Sequence, residues 1–505
     1  MTAPYVLFPG RHHLLTRFQA DYLRRLAGDG AATIVWAVTS ANHENTKRNP
    51  VPYHRREAAI ERFSVLTGLR SLAVPVFDTA PTDRFAQVTL KTVTVATGLE
   101  LTPDNTLVAC STPQVAALYS ELGYDIAPVE ADPALTSVPP GPWHVLLRLA
   151  AGDESWRELA HPATVDVFDR YRLTEVVRTV VNDPVVGDEG GLTATRDYRT
   201  YVEAFAAAAE RKWSAVRQYV QPGRIVDIGC GAGAVLELAD RDDALHESDL
   251  IGVEVARHLY QECVHKKAQG VFRNANVYFY QRNVLGGAVL PDRSVDTTLT
   301  FALTHEIWSY GSRRESLLRF ARRIHDHTVP GGVWINSDVC GPAGRTREVL
   351  LTLRDDDGDN PDKPRTDLAE LSSAEVAAYV DGLSTRARLD QFAHDFAFPF
   401  GYQPAGGTTV RLELGSAMDF LTRKDYTDNW LSETREQFCG LCFDDWAELL
   451  AEAGFDVDPA SHPLRNDWVV DNRIAPVASL TDTDGRPLDW PDTHAIIVAR
   501  RPRIN

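Results

Sequence analysis

The sequence predicts an α/β protein made of two doubly wound, Rossmann-like domains. Apolar segments of strand length alternate with helical patterns through the first third of the chain, which is typical of a parallel sheet. Further along, the apolar segment Arg224–Leu236 breaks into three alternate glycines before a helical pattern resumes. A strand, a tight turn and a helix in that order open a nucleotide-binding domain. The length of 505 residues is sufficient for both domains.

The composition is that of an ordinary globular protein, with 44% hydrophobic and 24% charged residues. A formal net charge of -18 argues against a surface that neutralises phosphates, so nucleic acid is disfavoured as a partner. The first residues lack the pattern of a signal peptide, and no apolar run approaches the ~20 residues of a membrane span. We therefore expect a cytoplasmic protein with no membrane partner. The pair Cys439 and Cys442 is expected to be buried thiols, because no second cysteine pair lies near it in sequence.

The first domain is predicted over residues 1–182, and its elements alternate in order. The predicted strands are Tyr5–Arg11, Ala32–Val38, Leu72–Phe77 and Thr106–Ser111, and the predicted helices are Leu14–Leu26, His54–Thr67 and Pro113–Leu122. Three segments then carry a family resemblance: the polar loop Ser40–Pro50 with Arg56, the helix Thr112–Asp125, and the region Arg148–Trp156. The domain resembles the nicotinamide-mononucleotide adenylyltransferases, which implies that the polar loop contacts a nicotinamide nucleotide.

Two motifs of that family are eroded here. Its His/Thr-x-Gly-His motif, which meets the ATP phosphates, corresponds to Thr16–Gln19, where the glycine and the last histidine are missing. Little of a later motif survives near Gly141–Arg148. Because adenylyl transfer depends on charge stabilisation around the phosphates, we expect an inactive domain retained for binding a ligand, for the substrate or for dimerisation. Rescue of catalysis by His12 and His13 is the alternative.

A segment rich in glycine, proline and acids predicts a linker at 183–194, followed by a second domain over 195–505. In its glycine turn, the residues at 229, 231 and 233 leave room for a ligand over the start of the following helix. Asp227 precedes the turn. The next apolar run, Leu250–Glu254, ends in a carboxylate, where a doubly wound domain places an acceptor for two ribose hydroxyls.

These residues resemble motif I of the class I S-adenosylmethionine (SAM) methyltransferases, acidic-x-Gly-x-Gly-x-Gly. The resemblance implies a seven-stranded sheet and SAM as the cofactor. The implied cofactor-binding residues are Asp227, Gly229, Cys230, Gly231, Gly233, Glu254, Asn283 and Thr304. Asn283 ends a predicted third strand that begins at Val277, at a position where the family usually has aspartate. The fourth strand, Val295–Leu303, and the Pro-Gly-Gly turn with the fifth strand, Pro330–Asp338, follow in the order of the family.

The pattern of that family is interrupted by a long insertion at 340–435, which is predicted to be a substrate lid with a helix near Ser373–Leu383. The domain then resumes with the helix Phe443–Ala453, a sixth strand at Gly454–Val457 and a seventh, antiparallel strand at His494–Arg500.

Methyl transfer from a sulfonium needs few chemical groups, since the protein mainly holds the acceptor in line and sometimes accepts a proton. The resemblance implies that the end of the fourth strand faces the methyl group, so His305, Glu306 and Tyr310 are the predicted catalytic residues. His305 suits a base near neutral pH, and Glu306 could orient it or bind an amine; a purely structural histidine is the alternative. Thr304 and Trp308 are candidates at the same strand end. The insertion offers weaker candidates for acceptor contacts, which are His394, Asp395, Lys424, Asp425 and Tyr426. The helix that is expected to cover the cofactor offers Tyr198, Tyr201 or Trp213, for which packing between helix and sheet is the alternative.

The leading hypothesis is a SAM-dependent methyltransferase that acts at oxygen or nitrogen of a small polar, nucleotide-like or natural-product acceptor. Three alternatives stay open. They are a bifunctional adenylyltransferase and methyltransferase, a SAM enzyme that transfers the aminocarboxypropyl group, and a non-catalytic sensor of a nucleotide and SAM. No metal is predicted, the expected partner is a small-molecule substrate, and a homodimer is left open.

Overall fold

The computed structural model of the chain describes residues 3–28, 31–44, 46–78, 82–128, 139–182, 208–284, 290–362 and 367–503. The chain forms two compact units, one of Met1–Asp183 with Gln281–Gly287 and one of Pro184–Tyr280 with Ala288–Asn505. Tyr198, Tyr201 and the predicted linker from 183 to 194 lie outside the described residues. The predicted mixed α/β class with parallel strands is confirmed.

The first unit contains a five-stranded sheet in the order β3-β2-β1-β4-β5, and its described pairings are parallel. Its strands are β1 (Tyr5–Gly10), β2 (Thr33–Val38), β3 (Ser71–Pro75), β4 (Thr106–Ala109) and β5 (Asp125–Ala127). Its helices are α1 (Arg17–Ala27), α2 (Tyr53–Thr67), α3 (Phe85–Thr97), α4 (Pro113–Ser120), α5 (Pro142–Ala150), α6 (Trp156–Leu159), α7 (Pro162–Arg170) and α8 (Leu173–Val181).

Helices cover both faces of this sheet because successive strand residues point to opposite sides. Val6 and Phe8 of β1 pack in one core with helices that include α2 and α7, whereas Leu7 packs in a second core with α3 and α4. The helix α3 was not predicted. Its threonines and valines have low helix propensity, and packing of Val93 against the sheet overrides that preference.

The second unit contains an eight-stranded sheet in the order β14-β17-β10-β9-β6-β7-β8, with β15 paired to β17. Its strands are β6 (Arg224–Ile228), β7 (Asp249–Glu254), β8 (Val277–Gln281), β9 (Val295–Phe301), β10 (Thr328–Val339), β14 (Asp456–Val457), β15 (His462–Leu464) and β17 (His494–Arg500). The strand β17 runs antiparallel to β10, as predicted for the last strand. The count of seven strands was wrong by one, because the short strand β15 also pairs with β17.

The helices of the second unit and its short turns complete the framework. The helices are α9 (Ala234–Asp240), α10 (Arg257–Ala268), α11 (Thr304–Tyr310), α12 (Arg314–His327), α13 (Ser373–Gly382), α14 (Thr385–Asp395), α15 (Leu414–Leu421), α16 (Trp430–Glu433), α17 (Phe443–Ala453) and α18 (Asp467–Val469), and residues 208–216 are also helical. Short 3₁₀ turns lie at Arg217–Tyr219, Asp243–Leu245 and Thr427–Asn429, and a π-turn lies at Val470–Ile474.

The insertion contains a small antiparallel sheet that the sequence pattern did not predict. The strands β11 (Glu348–Leu353), β12 (Tyr402–Gly406), β13 (Thr409–Glu413) and β16 (Ala478–Thr481) pair in the order β12-β13-β11-β16. Residues of this sheet and of α13 to α16 form a hydrophobic core of their own. Because β16 lies well beyond residue 435, the segment that packs with the insertion extends past its predicted end. Among the described residues, no helix has both the length and the apolar character to cross a membrane.

Candidate functional site

The glycine turn between β6 and α9 has the conformation that its sequence requires. Gly229, Gly231 and Gly233 have φ angles of 74°, 55° and 81°, a left-handed region that strongly favours glycine. A Cβ atom on Gly231 would meet no atom within 4 Å, whereas one on Gly229 would lie 3.3 Å from the side chain of Leu303. The turn therefore leaves open space above residue 231.

Glu254 ends β7 beside this turn. Its Oε2 accepts a hydrogen bond from the Gly231 amide at 2.9 Å, and its Oε1 accepts from the amides of Val255 and Ala256, each at 2.8 Å. Burial raises the pKa of Glu254 to about 7 despite these donors, and the charge of Glu306 adds to the rise. Each carboxylate oxygen can accept more than one hydrogen bond, so the group can also receive ligand hydroxyls.

Two further ionisable residues lie near the start of the turn. Asp227 is 2% exposed, and burial raises its pKa to about 7, against the opposing charge of Lys212. Burial lowers the pKa of Lys212 to about 8, while Asp338 and Asp227 oppose the shift. The sequence interpretation had missed Lys212, which lies on the helical residues 208–216 that lead into the domain.

Three other predicted cofactor residues are placed less directly. The Cys230 sulfur lies beneath the turn, since a Cβ atom on Gly252 of β7 would be 2.9 Å from it. Asn283 is buried and follows β8 by two residues. Thr304 is also buried, and its amide and hydroxyl each donate to Asp338 Oδ2 at 2.6 Å. Its hydroxyl thus serves the internal hydrogen-bond network of the site.

His305 is held between two buried carboxylates. Its Nδ1 lies 2.6 Å from Asp338 Oδ1, and its Nε2 lies 3.3 Å from Glu436 Oε2. Burial lowers the pKa of His305, but the two carboxylates overcome this effect and raise the pKa well above its ordinary value. In turn, His305 overcomes the effect of burial on Asp338 and lowers the pKa of that carboxyl to about 2. The two carboxylates favour a protonated ring, which has no free lone pair to accept a proton, so the role of His305 as a base stays a prediction.

The other residues of α11 contact the end of the insertion. Tyr310 donates from its hydroxyl to Glu436 Oε1 at 3.1 Å, and Trp308 donates from Nε1 to Gln437 Oε1 at 3.0 Å. Glu306 is 3% exposed, and its charge acts on Glu254. The predicted catalytic residues therefore lie together at the carboxyl ends of β9 and β10, with Glu306 linking them electrostatically to the glycine-turn side.

The strongest partners of His305 had not been predicted. Asp338 carried a signal, since it is the last polar residue of a predicted strand whose carboxyl end faces the site. Glu436 carried none, because its sequence neighbours form no motif. The weaker candidates pair with their own neighbours instead: Lys424 Nζ binds the Asp425 carboxylate at 2.7 Å, and Asp395 accepts from Trp430 Nε1 at 2.7 Å. Trp213 is buried in the core of the second unit.

The first unit has a separate cavity of about 570 Å³ at the carboxyl ends of β1 and β4. The direction of strand succession reverses between these two strands, which is where doubly wound sheets bind ligands. The described residues that line it include Arg11, Arg48, His13 and Trp143, and none of these described lining residues is an aspartate or glutamate. His13 is 6% exposed, and neither of its ring nitrogens meets a partner with hydrogen-bond geometry in the part of the chain that the structure describes, although the Arg48 backbone lies close enough to affect its pKa.

The residues at the position where the sequence resemblance places a phosphate motif, and the buried residues near them, serve the fold. Thr16 and Gln19 form a reciprocal capping box at the start of α1, with bonds of 3.0 and 3.1 Å. Arg56 is fully buried and donates to the carbonyls of Arg11, Thr39 and Ser40. Burial lowers the pKa of His12 to about 4, and its Nε2 contacts the Phe8 carbonyl at 3.0 Å. None of these three groups is arranged as a cationic phosphate clamp.

Comparisons with known proteins give only weak similarities. No family model matches the chain, and no curated protein matches it. A SAM-dependent methyltransferase structure from Mesorhizobium loti is 16% identical, with a TM-score of 0.32 over 59% of this chain and 100% of that one. The [4+2]-cyclase SpnF is 14% identical, with a TM-score of 0.31 over 66% of this chain and 95% of its own. A SAM-dependent methyltransferase from Methanosarcina mazei is 14% identical, with a TM-score of 0.30 over 57% of this chain and 97% of that one. Similarities at this level establish no activity for the chain.

Proposed function

We propose that the second unit binds SAM and transfers its methyl group to a small polar acceptor at oxygen or nitrogen. The observation that carries the proposal is the Glu254 carboxylate, fixed by the Gly231 amide across a turn of three left-handed glycines. This arrangement suits a ribose whose two hydroxyls donate to one carboxylate. The open space above Gly231 and the buried acids Asp227 and Glu254 also suit a nucleoside that carries sulfonium and ammonium charges.

The cofactor would supply an activated methyl group, so the residues of the chain need only position the acceptor and exclude water. Charged and hydroxyl-bearing side chains of α11 and the end of the insertion supply polar contacts where β9 and β10 end. His305 would serve there as a fixed charge. The lowered pKa of Lys212 makes that residue a better candidate than His305 for accepting a proton near neutral pH.

Replacing Glu254 with glutamine is expected to weaken binding of SAM and of its product S-adenosylhomocysteine by about 10- to 100-fold. The amide loses charge-assisted hydrogen bonds to the ribose, which contribute about 1.5–3 kcal/mol each. Calorimetric titration of the full chain measures the affinity. Glu262→Gln, an exposed change on the adjacent helix α10, should leave it unchanged. Equal affinities for wild type and Glu254→Gln would contradict the proposed cofactor site.

We also propose that the first unit retains a site for a phosphate-bearing ligand without adenylyl transfer. The supporting observation is the cavity whose described lining has two arginines and no acid, together with the buried ring of His13. Guanidinium groups suit phosphate, and the ring of Trp143 at the cavity wall suits an aromatic base. The internal use of Thr16 and Gln19 supports loss of the transfer step.

Removal of the Arg48 side chain is expected to reduce the affinity of the full chain for AMP or nicotinamide mononucleotide by about tenfold, the effect of one charge-assisted contact. Calorimetric titration with the two nucleotides and with inorganic phosphate measures the affinities of wild type, Arg48→Ala and the exposed control Arg84→Ala. No binding by the wild type would contradict the ligand site. Pyrophosphate release from ATP and nicotinamide mononucleotide would favour the bifunctional alternative.

A further inference from the structure

The carboxylate of Glu436 contacts two residues of the candidate methyl-transfer site. Glu436 lies just beyond the predicted end of the insertion and is 1% exposed. One of its carboxylate oxygens faces His305 Nε2 at 3.3 Å, and the other accepts from the Tyr310 hydroxyl at 3.1 Å. Two of the three predicted catalytic side chains therefore meet on a residue that no motif had indicated.

The geometry around His305 favours protonation of both ring nitrogens. A neutral imidazole has one N–H group and one lone pair, so one of its nitrogens would face a carboxylate without a proton between them. In a buried site such a contact is strongly unfavourable. Asp338 on one side and Glu436 on the other therefore favour the imidazolium, and each contact depends on the other.

The position of Glu436 is itself fixed. The guanidinium of Arg423 donates to the Glu436 carbonyl. The side-chain oxygen of Gln437 accepts from Trp308 Nε1, and the backbone N–H of Gln437 donates to Ser309 Oγ at 2.8 Å. Phe438 packs edge-on against the His305 ring, with 5.0 Å between the ring centroids. The segment from 436 to 438 is thus built onto α11 through main-chain and side-chain contacts.

We propose that Glu436 is a positioning residue of this site, which holds His305 as a fixed positive charge and orients the Tyr310 hydroxyl. The inference rests on the proposed function, because that function makes this a methyl-transfer site. The charge state of His305 can be tested whether or not the proposed function is correct. The insertion then supplies part of the site itself. A proton that the methyl acceptor loses is then taken up by a group other than His305.

Several charged or titratable groups around His305 influence its protonation. Asp338 comes from β10 and Glu436 from the end of the insertion. Burial lowers the pKa of His494 of β17, and the charges of Asp338, His305 and Lys212 also act on it. Since the two carboxylates contact the ring directly, loss of either one should change its titration most.

The test is a nuclear magnetic resonance titration of His305 in the full chain labelled with ¹⁵N-histidine. The variant His305→Gln identifies its signal among the fifteen histidines. In the wild type we expect both ring nitrogens to be protonated at pH 7.5. In Glu436→Gln the pKa should fall by about one unit or more, which is a tenfold change in the protonation equilibrium. Asp428→Asn, an exposed change in the same segment, should leave the titration unchanged.

A neutral His305 in the wild type at pH 7.5, or the same titration in Glu436→Gln, would overturn the proposal. If Glu436→Gln does not fold, Glu436→Asp provides the same comparison, because its shorter side chain also withdraws the carboxylate from Nε2. Binding of S-adenosylhomocysteine by the same samples separates the two hypotheses. If the wild type does not bind S-adenosylhomocysteine, the proposed function is rejected. The role of Glu436 is decided by the His305 titration alone.

Discussion

Asp338→Asn is expected to lower the free energy of unfolding of the second unit by about 3–5 kcal/mol, the usual cost of removing one partner from a buried ion pair. The carboxylate accepts five hydrogen bonds, from Val339 N and from the amide and side chain of both Thr304 and His305. An asparagine amide would turn N–H groups toward some of these donors and leave the His305 charge without its closer partner. Urea unfolding, monitored by tryptophan fluorescence, measures this loss of stability.

The difference between wild type and Asp338→Asn should also depend on pH. The folded-state pKa of Asp338 is lowered from 3.8 to about 2, so its contribution is present above pH 3.8 and is lost as the pH falls toward 2. The folded-state pKa of His305 is raised above 6.5, so its contribution is present below pH 6.5 and is lost as the pH rises through the folded value. The difference should therefore be largest between these limits.

Unfolding at pH 3, 5.5 and 10 tests this dependence. The matched control is Asp292→Asn, which removes an exposed carboxylate of the same unit and should change stability little. A loss in Asp338→Asn as small as in the control, or a loss that is constant with pH, would contradict the charged state assigned to His305.

The parts of the site that local sequence determines were predictable. The turn around Gly231 follows from alternate glycines after an apolar strand, and Glu254 follows from its position at the end of the next strand. Both signals depend on neighbouring residues and on the geometry common to parallel strands. The observed positions of β9, β10 and β17 likewise follow from apolar patterns, because each pattern lies within one continuous segment of the sequence.

The charge state of His305 was not predictable, because it depends on residues that only the fold brings together. A histidine at a strand end suggests a base near neutral pH. Here one partner comes from the end of β10 and the other from just beyond the predicted end of the insertion, and together they favour the protonated ring. The small sheet of the insertion was missed for a similar reason, since β11 pairs with β16 far along the chain.

Arg423→Met is expected to destabilise the insertion by about 3–5 kcal/mol, because it leaves the buried carboxylate of Asp419 without its cation. Arg423 has no exposed side-chain area, and its Nη2 donates to Asp419 Oδ1 at 2.6 Å. The same oxygen accepts from the amides of Phe438 and Cys439, and the guanidinium lies 4.4 Å from the centroid of the Phe438 ring. This pair therefore supports the segment that carries Glu436.

A double-mutant cycle separates the ion pair from the packing around it. Asp419→Asn in the Arg423→Met background should cost less than Asp419→Asn in the wild type, since the carboxylate has already lost its partner; residues in such contact are coupled by about 0.5–3 kcal/mol. Arg435→Met, an exposed change in the same segment, should leave stability nearly unchanged. Because the Glu436 carbonyl also accepts from Arg423, the titration of His305 should shift in Arg423→Met as it does in Glu436→Gln. If the cycle is additive and the pKa of His305 is the same in Arg423→Met as in the wild type, Arg423 stabilises the insertion core without positioning Glu436.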